Sequence, residues 1–414
     1  MNAPTAGPAR PVLVVGWKAK AVKALVRHGA EVTSVVAPDE AAKCRRLGLG
    51  ATLVAADTAR AEDVAAALAR HGRTAAEYDV VCSPQELTVQ TAAMLGAAPG
   101  NTAIPMPVAL ALRDKAVQKA AVRAAGLPVA RCHVVPRTAG LAAVAADGPV
   151  VVKPVNGAGS ADTHRVGTPQ EGAALADRLT AQGLPGPWLV EEFVHGSELQ
   201  VDGVVRGGEL LLLSVSRYLD NVILIHDGGV VGSASLSPAG HPALYERTRA
   251  LAARALAALG FTDGVFHMEV FSDGERIVFS EVGGRVGGAL TDEQLRHGYG
   301  VDIYDEWARA VLGLPSALTG DQAAPVGSVG YIHLTVAPGK VAALPSEQEL
   351  AARPGVLHAE LDVEVGDTVG DLSASSHLRA ARVLVRGTDD VGVAADLRAL
   401  STWFRGATVI VPAS

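Results

Sequence analysis

The chain is short of aromatics, cysteines and long apolar runs, and each shortage removes a class of protein. Aromatics make up only 4% of 414 residues while hydrophobic residues make up 49%, so any core is built from Ala, Val and Leu, and the composition is that of a globular chain, not a disordered one. The three cysteines, Cys44, Cys82 and Cys132, are far apart, odd in number and in no metal-ligand spacing. They fit no disulfide framework and read as small buried hydrophobes in a reducing cytosol. No stretch reaches the roughly 18 apolar residues that span a bilayer, and Met1 to Arg10 lacks the apolar region of a signal peptide. That segment reads as a disordered lead-in, and a cytoplasmic protein without a membrane partner is expected. Basic residues form no cluster and the net charge is -7, which argues against a nucleic-acid partner. The length implies two to four domains.

The first hundred residues alternate strand and helix patterns. Pro11 to Val15, Val32 to Val36 and Tyr78 to Cys82 read as strands, and Lys18 to His28 and Glu62 to Arg70 as helices. This alternation predicts a parallel sheet covered on both faces. The turn after the first strand, Val-Val-Gly-Trp-Lys-Ala-Lys, lacks the second and third glycines of a dinucleotide fingerprint. A nicotinamide site is therefore disfavoured, and the sheet is expected to be scaffold and one wall of a cleft.

Gly260 to Leu290 carries the strongest local signal. Two β-prone runs, Val265 to Phe271 and Ile277 to Ser280, flank Asp273-Gly274, a hairpin signature. A three-residue loop centred on Glu275 would pair Phe271 with Phe279 and Glu269 with Glu281. Two carboxylates so placed repel, and a divalent cation between them would answer that, since Mg²⁺ is commonly held by one or two carboxylates plus substrate phosphates. Arg285 would point a planar anion clamp at the same spot. The alternative is a one-residue register change that sends the two acids to opposite faces.

Other stretches are suggestive only in combination. Pro107 opens a predicted helix that passes through Arg113-Asp114-Lys115 and stops before Gly126; alone, Lys115 reads as a surface lysine. Lys153-Pro154 ends a strand, and Gly157, Ala158, Gly159 and Ser160 follow. Small residues there would let backbone N–H groups close on phosphate oxygens beside the lysine charge, although a ligand-free glycine-rich hairpin fits equally well. Trp188 to Val194 reads as a strand kinked at His195-Gly196, which leaves main-chain groups at Glu191 to Val194 for an adenine edge and Glu198 for ribose hydroxyls.

Taken in order, Asp114-Lys115, Lys153-Pro154, Gly157-Ala-Gly-Ser160, Glu191-Glu192-Phe-Val194 with Glu198, His267-Met-Glu269 and Glu281-Val-Gly-Gly-Arg285 resemble the ATP-grasp superfamily over about residues 11 to 320. Within it the chain looks most like the L-amino-acid ligases, and more distantly like biotin carboxylase. The resemblance implies an α/β fold with three parts: a Rossmann-like domain over 1-110, an ATP-grasp domain over 111-320 and a C-terminal α+β lobe over 321-414.

It also implies an ATP-dependent ligase that joins a small carboxylate and an amine through an acylphosphate, with Mg²⁺ or Mn²⁺. Lys115 and Lys153 would hold ATP phosphates, the loop with Gly157, Gly159 and Ser160 would cover them, and Glu191, Glu192 and Val194 would meet adenine, with Glu198 on the ribose. Glu269 and Glu281 would bind metal, and Arg285 would meet the carboxylate and the transferred phosphate.

Gly283 departs from the pattern, since the superfamily usually has Asn there. It leaves open a non-catalytic ATP-binding protein. A biotin-carboxylase-like enzyme is a further alternative, disfavoured because no methionine is followed by lysine. Leu211 to Arg217, Ile225 to Gly229 and Ser237-Pro238 resemble the substrate loop of the ligases. His226 is a candidate contact there, beside the simpler reading of a loop histidine, and His267 is a candidate on the strand of Glu269. The last hundred residues read as strands (Val329 to Val336, Val356 to Val365, Ala381 to Arg386, Ala407 to Val411) with a helix from Asp389 to Arg405, expected to close the cleft. A homodimer is among the expectations.

Overall fold

The computed structural model describes residues 10–319, 325 and 327–412. The expected lead-in before Arg10 and most of the expected linker at Asp321 to Pro325 lie outside the described residues. The N-terminal sheet is parallel, with strands in the order Ala51–Val54, Ala30–Val36, Arg10–Val15, Val80–Cys82. Along Arg10–Val15, Val12 and Val14 pack under the helix Ala19–Arg27, while Leu13 and Val15 pack under Ala61–Ala69 and Val89–Leu95. This two-sided burial is why the strand is an unbroken apolar run. The strand Ala51–Val54 was not anticipated; four residues, Ala-Thr-Leu-Val, give too little pattern.

A small antiparallel sheet follows, in the order Cys132–Val135, Trp188–Glu192, Val150–Pro154, His164–Val166. Facing it is an eight-stranded antiparallel sheet, ordered Ile277–Gly283, Gly264–Ser272, Ser197–Arg206, Glu209–Tyr218, Gly232–Ser235, Ser328–Leu334, Ala381–Gly387, Val356–Leu361. The last three strands come from the region expected to form a separate lobe. They instead extend the sheet that carries the hairpin, so His333 and Tyr331 lie in the same sheet as Glu269. The helix expected from Asp389 is Asp390–Ala407, and its Val393, Leu397, Leu400 and Phe404 fill the core over these strands. Among the described residues no helix is long and apolar enough to cross a membrane.

Candidate active site

Glu269 faces Glu281 across the hairpin, as the sequence predicts, but by another route. Ser272 pairs with Ile277 and Phe271 with Val278, not Phe279, so the turn is four residues long, 273–276. The Asp273 carboxylate accepts from the N–H groups of Glu275 (3.0 Å) and Arg276 (2.8 Å), which stabilises the longer turn. An even-length turn alone would put Glu281 opposite Met268, on the other face. A β-bulge between Glu269 and Val270 takes up Ser280 as the extra residue and restores the acid pair.

The strand is then fixed from outside. Gln118 accepts from the Val282 N–H (2.8 Å) and donates to its C=O (2.7 Å), matching the strand as a second backbone would. Gln118 lies on Lys115–Ala124, a helix shorter than predicted. The single helix expected from Pro107 is two, Met106–Ala111 and Lys115–Ala124, because Asp114 caps the second by accepting from the N–H groups of Ala116 and Val117. The break puts Lys115 on the first turn, where its Nζ donates to the Gly157 C=O at 2.8 Å. Lys115, Gln118, Lys119 and Val122 form the buried face, a helical stripe that is polar over its first turn.

Lys119 went unrecognised in the sequence, although it stands one turn after Lys115 on the same face. It is 1% exposed and bonds Glu191 at 2.8 Å. Lys153 bonds the other Glu191 oxygen at 2.7 Å and lies 3.6 Å from Glu281, and Lys115 lies 3.4 Å from the same Glu281 oxygen. Thus Glu191, expected to act through its backbone, has a side-chain role as the anion between two buried lysines. Burial opposes its ionisation, but the Lys119 and Lys153 charges win and lower its pKa to about 2. Burial likewise opposes the Glu281 charge, which Lys115, Lys153 and Lys119 hold at about 2. For Lys153, burial is outweighed by Glu191 and Glu281, and its pKa rises.

Lys119→Met is expected to destabilise the protein by about 3 kcal/mol, the low end for breaking a buried pair because Lys153 remains. Urea unfolding measures this; a loss below about 1 kcal/mol, typical of a surface pair, would contradict it. The stability supplied by Glu191 ionisation is present above pH 4.5 and lost as the pH falls toward about 2.

The loop after Lys153 is bent into left-handed backbone, with φ of +64° at Gly159, +56° at Ser160 and +53° at Asp162, and its turns are closed by the N–H groups of Gly157, Ala161 and Thr163, which donate to the C=O groups of Pro154, Ala158 and Ser160. It is held from the C-terminal region: the Ser376 N–H and the Ser375 hydroxyl each donate to the Gly159 C=O at 3.1 Å. Gly157, Gly159, Ser160, Glu191, Glu192 and Val194 all line one cavity. Glu192 turns its carboxylate onto exposed Arg131 at 2.6 Å, and among the described residues the Val194 N–H has no backbone partner. Glu198 closes the far wall and accepts from the Val222 N–H at 2.7 Å. Burial, then the Glu269 charge, raises its pKa to about 8.

A second cavity adjoins the first, and Lys115, Gly159, Ser160, Glu269 and Glu281 line both. Arg285 lines the second. Its Nε and one terminal nitrogen donate to a single Glu86 oxygen at 2.8 and 2.6 Å, and its other terminal nitrogen donates to the Val286 C=O at 3.0 Å. Glu86, from the N-terminal domain, was not anticipated. Burial opposes its charge, but Arg285 and Lys115 keep its pKa low. His267 also lines this cavity; its Nδ1 bonds Asp202 at 2.8 Å and its Nε2 stands 3.8 Å from Glu269. Burial is overcome by the Asp202 charge, and the His267 pKa rises to about 9.

His226 is not brought to the site. It lies exposed on the 3-10 turn Val222–Asp227, its ring stacked 6.4 Å from that of His164, and lines neither cavity. The contacts expected between Leu211 and Pro238 reduce, in the second cavity, to Tyr218, Val222 and Val231.

The donor set fits a hard divalent cation that brings its own phosphate and water ligands. Glu269 and Glu281 face each other, and among the described residues no third carboxylate, histidine or cysteine joins them in a metal cluster. At Gly283 an added Cβ would lie in ordinary contact with the Arg285 side chain (3.4 Å) and with Glu86 (3.6 Å), so the position packs directly against the Arg285–Glu86 pair.

Residues 146–293 match the ATP-grasp domain family. The chain is 24% identical over 311 residues to an L-arginine-specific L-amino acid ligase of Bacillus subtilis, covering 72% of this chain and 73% of that protein. It is 35% identical over 156 residues to a D-alanine--D-alanine ligase of Ruegeria pomeroyi, covering 36% and 46%. The solved L-amino acid ligase of Bacillus licheniformis superposes with a TM-score of 0.77 over 99% of this chain and 100% of that one, at 18% identity. Residues 146–293 thus carry an ATP-grasp domain, and the chain is similar over 72% of its length to one L-amino acid ligase and shares the fold of a second.

Proposed function

We propose that this ligase joins a small carboxylic acid to an amine through an acylphosphate, releasing ADP and phosphate, and that both substrates are amino acids or close analogues. The observation that carries this is the meeting of two cavities at Glu269 and Glu281, with Lys115 and Lys153 alongside. One cavity suits a nucleotide and the other a small acid, so a γ-phosphate and a carboxylate would meet at the acid pair. The names of the relatives support amino acids as substrates.

The acid's oxygen attacks the γ-phosphorus and ADP leaves; the amine then attacks the acyl carbon and phosphate leaves. Lys115 and Lys153 offset charge on the transferring group, a reaction governed by positioning. Arg285 orients the carboxylate and stabilises the oxyanion formed when the amine adds. A bound Mg²⁺ or Mn²⁺ ion, held by Glu269 and Glu281, supplies further charge neutralisation on the phosphates. The Gly157 to Ser160 loop excludes water from the acylphosphate. Val194, whose N–H has no backbone partner among the described residues, would meet the adenine edge in the cavity that Glu191 and Glu192 also line, and Glu198 would meet the ribose, with catalysis expected in the cytoplasm.

Ribose hydroxyls donating to Glu198 favour its carboxylate form. Because its pKa is raised to about 8, nucleotide binding at about pH 7 is expected to release up to about one proton. Calorimetry in buffers of different ionisation heat reads this number, and Glu198→Gln should bring it near zero. No release by the unmodified protein would contradict the assignment.

Gly283 favours one competitor, a protein that binds ATP without turnover. Phosphate release measured with ATP, Mg²⁺ and all pairs of natural amino acids, with mass spectrometry of the products, separates the two. Release accompanied by a dipeptide supports the ligase; bound ATP with no release for any pair supports the competitor.

A further inference from the structure

Amide formation needs a base, because an amine arrives at neutral pH as an ammonium ion and attacks only after losing a proton. Most titratable groups lining the second cavity are unable to take it. The acid pair is engaged, Glu281 by Lys115 and Lys153 and Glu269 by the Tyr218 hydroxyl. Glu86 holds Arg285. Burial of His267 is overcome by the Asp202 charge, so that ring already carries its proton. Burial keeps the Tyr218 and Tyr331 hydroxyls protonated. His333 is 2% exposed, bonds the Ser376 C=O through Nδ1 and has its other nitrogen buried.

His377 remains. It is an exposed residue that lines the same cavity as Arg285, and its hydrogen bonds among the described residues run through its backbone: the N–H donates to the Ser375 hydroxyl at 3.4 Å and the C=O accepts from Arg379 at 2.9 Å. Both ring nitrogens are left for a ligand. The ring lies where a side chain on Gly159 would stand, and its neighbours Ser375 and Ser376 hold the Gly159 C=O, so the covering loop fixes its place. The titratable and charged groups around it are Arg285, Lys18, Arg379, Glu86 and His333. Desolvation, then the charges of Arg285, Lys18 and Arg379, lowers its pKa against the pull of Glu86, so the ring is neutral at neutral pH.

We infer that His377 is the general base of the amide-forming step, taking a proton from the amine as it approaches the acyl carbon held at Arg285. The assignment rests on the ligase reading. The ammonium gives one proton to a ring nitrogen of His377, which passes it to solvent. The freed nitrogen lone pair forms the C–N bond, the bond from the acyl carbon to the phosphate oxygen breaks, and the second proton of the nitrogen leaves with the phosphate. A positioned base of this kind contributes about 10²–10⁴-fold.

The test uses the full chain with ATP, Mg²⁺ and each natural amino acid as the acid, and compares two kinds of nucleophile. Amino acids are protonated at neutral pH; hydroxylamine is not, and it converts an acylphosphate to a hydroxamate without a base. His377→Gln should slow dipeptide formation at neutral pH by about 10²-fold or more, while hydroxamate formation and single-turnover ADP formation keep their rates. The dipeptide deficit should shrink as the pH rises, because solution then supplies free amine. An undiminished dipeptide rate overturns the inference, as does hydroxamate formation by the unmodified protein without a dipeptide from any amino acid. Equal slowing with both nucleophiles also overturns it, since the ring would then be a prop for the Gly159 loop. Each of these leaves the ligase reading standing. That reading fails, and the base assignment with it, if the unmodified protein forms no hydroxamate and releases no phosphate with any acid.

Discussion

Glu281→Gln is expected to lower kcat by on the order of 10³-fold, about 4 kcal/mol, and to weaken the divalent-cation requirement. The carboxylate has two cationic neighbours, Lys115 at 3.4 Å and Lys153 at 3.6 Å, and faces Glu269 across the hairpin. Glutamine keeps the shape and the bulge but removes the charge that balances the lysines and one of two acids available to a cation. Phosphate release against Mg²⁺ concentration measures both effects. Because Lys115, Lys153 and Lys119 hold the Glu281 pKa at about 2, its protonation should not limit the rate above about pH 4, two units higher. A Glu281→Gln protein within about tenfold of full activity, a difference near 1.4 kcal/mol, would remove the acid pair from the mechanism.

Arg285→Ala should lower kcat by about 10²–10³-fold, the range for loss of one donor to a developing oxyanion. Arg285→Lys should not restore it, since an ammonium cannot donate at once to Glu86 and to the Val286 C=O while facing the cavity. Glu86→Gln tests orientation separately. It leaves the guanidinium intact but removes the charge that holds it, so kcat should fall by about tenfold, comparable to loss of one hydrogen bond to a charged group. Single-turnover measurement of ADP formation places the Arg285 effect on phosphoryl transfer or on the amine step. An unaltered rate for Arg285→Ala excludes both roles.

The parts of this protein written in local pattern were legible. Val12 to Val15 is a continuous apolar run, Val265 to Phe271 is a β-prone run broken only by His267 and Glu269, and Asp273-Gly274 marks the turn between the hairpin strands. The acid pair was found because Glu269 sits within Val265 to Phe271 and Glu281 directly follows the run Ile277 to Ser280. The bulge at Ser280 and the four-residue turn were not visible, and two register errors cancelled: the assumed odd turn gave the same pairing that an even turn plus a bulge produces.

What escaped was tertiary. Glu86 and Arg285 are 199 positions apart, and Gln118 and Val282 are 164 apart; no spacing rule links them. Lys119 was the recoverable omission, since Lys115 and Lys119 share a helix face. The continuation of the central sheet through Ser328–Leu334 could not be read either, because strand pairing across such a distance leaves no mark on short β-prone runs. That continuation is what brings His333 to the second cavity. His226 shows the converse: a plausible residue type at a plausible position, carried away from the site by the turn Val222–Asp227.

The most direct test follows oxygen. An acid substrate that supports turnover, labelled with ¹⁸O in its carboxylate, is incubated with ATP, Mg²⁺ and the amine, and the products are weighed by mass spectrometry. Attack of the carboxylate on the γ-phosphorus predicts one labelled oxygen in the released phosphate and none in the nucleotide. Label in AMP, or unlabelled phosphate accompanying amide formation, would contradict the acylphosphate route.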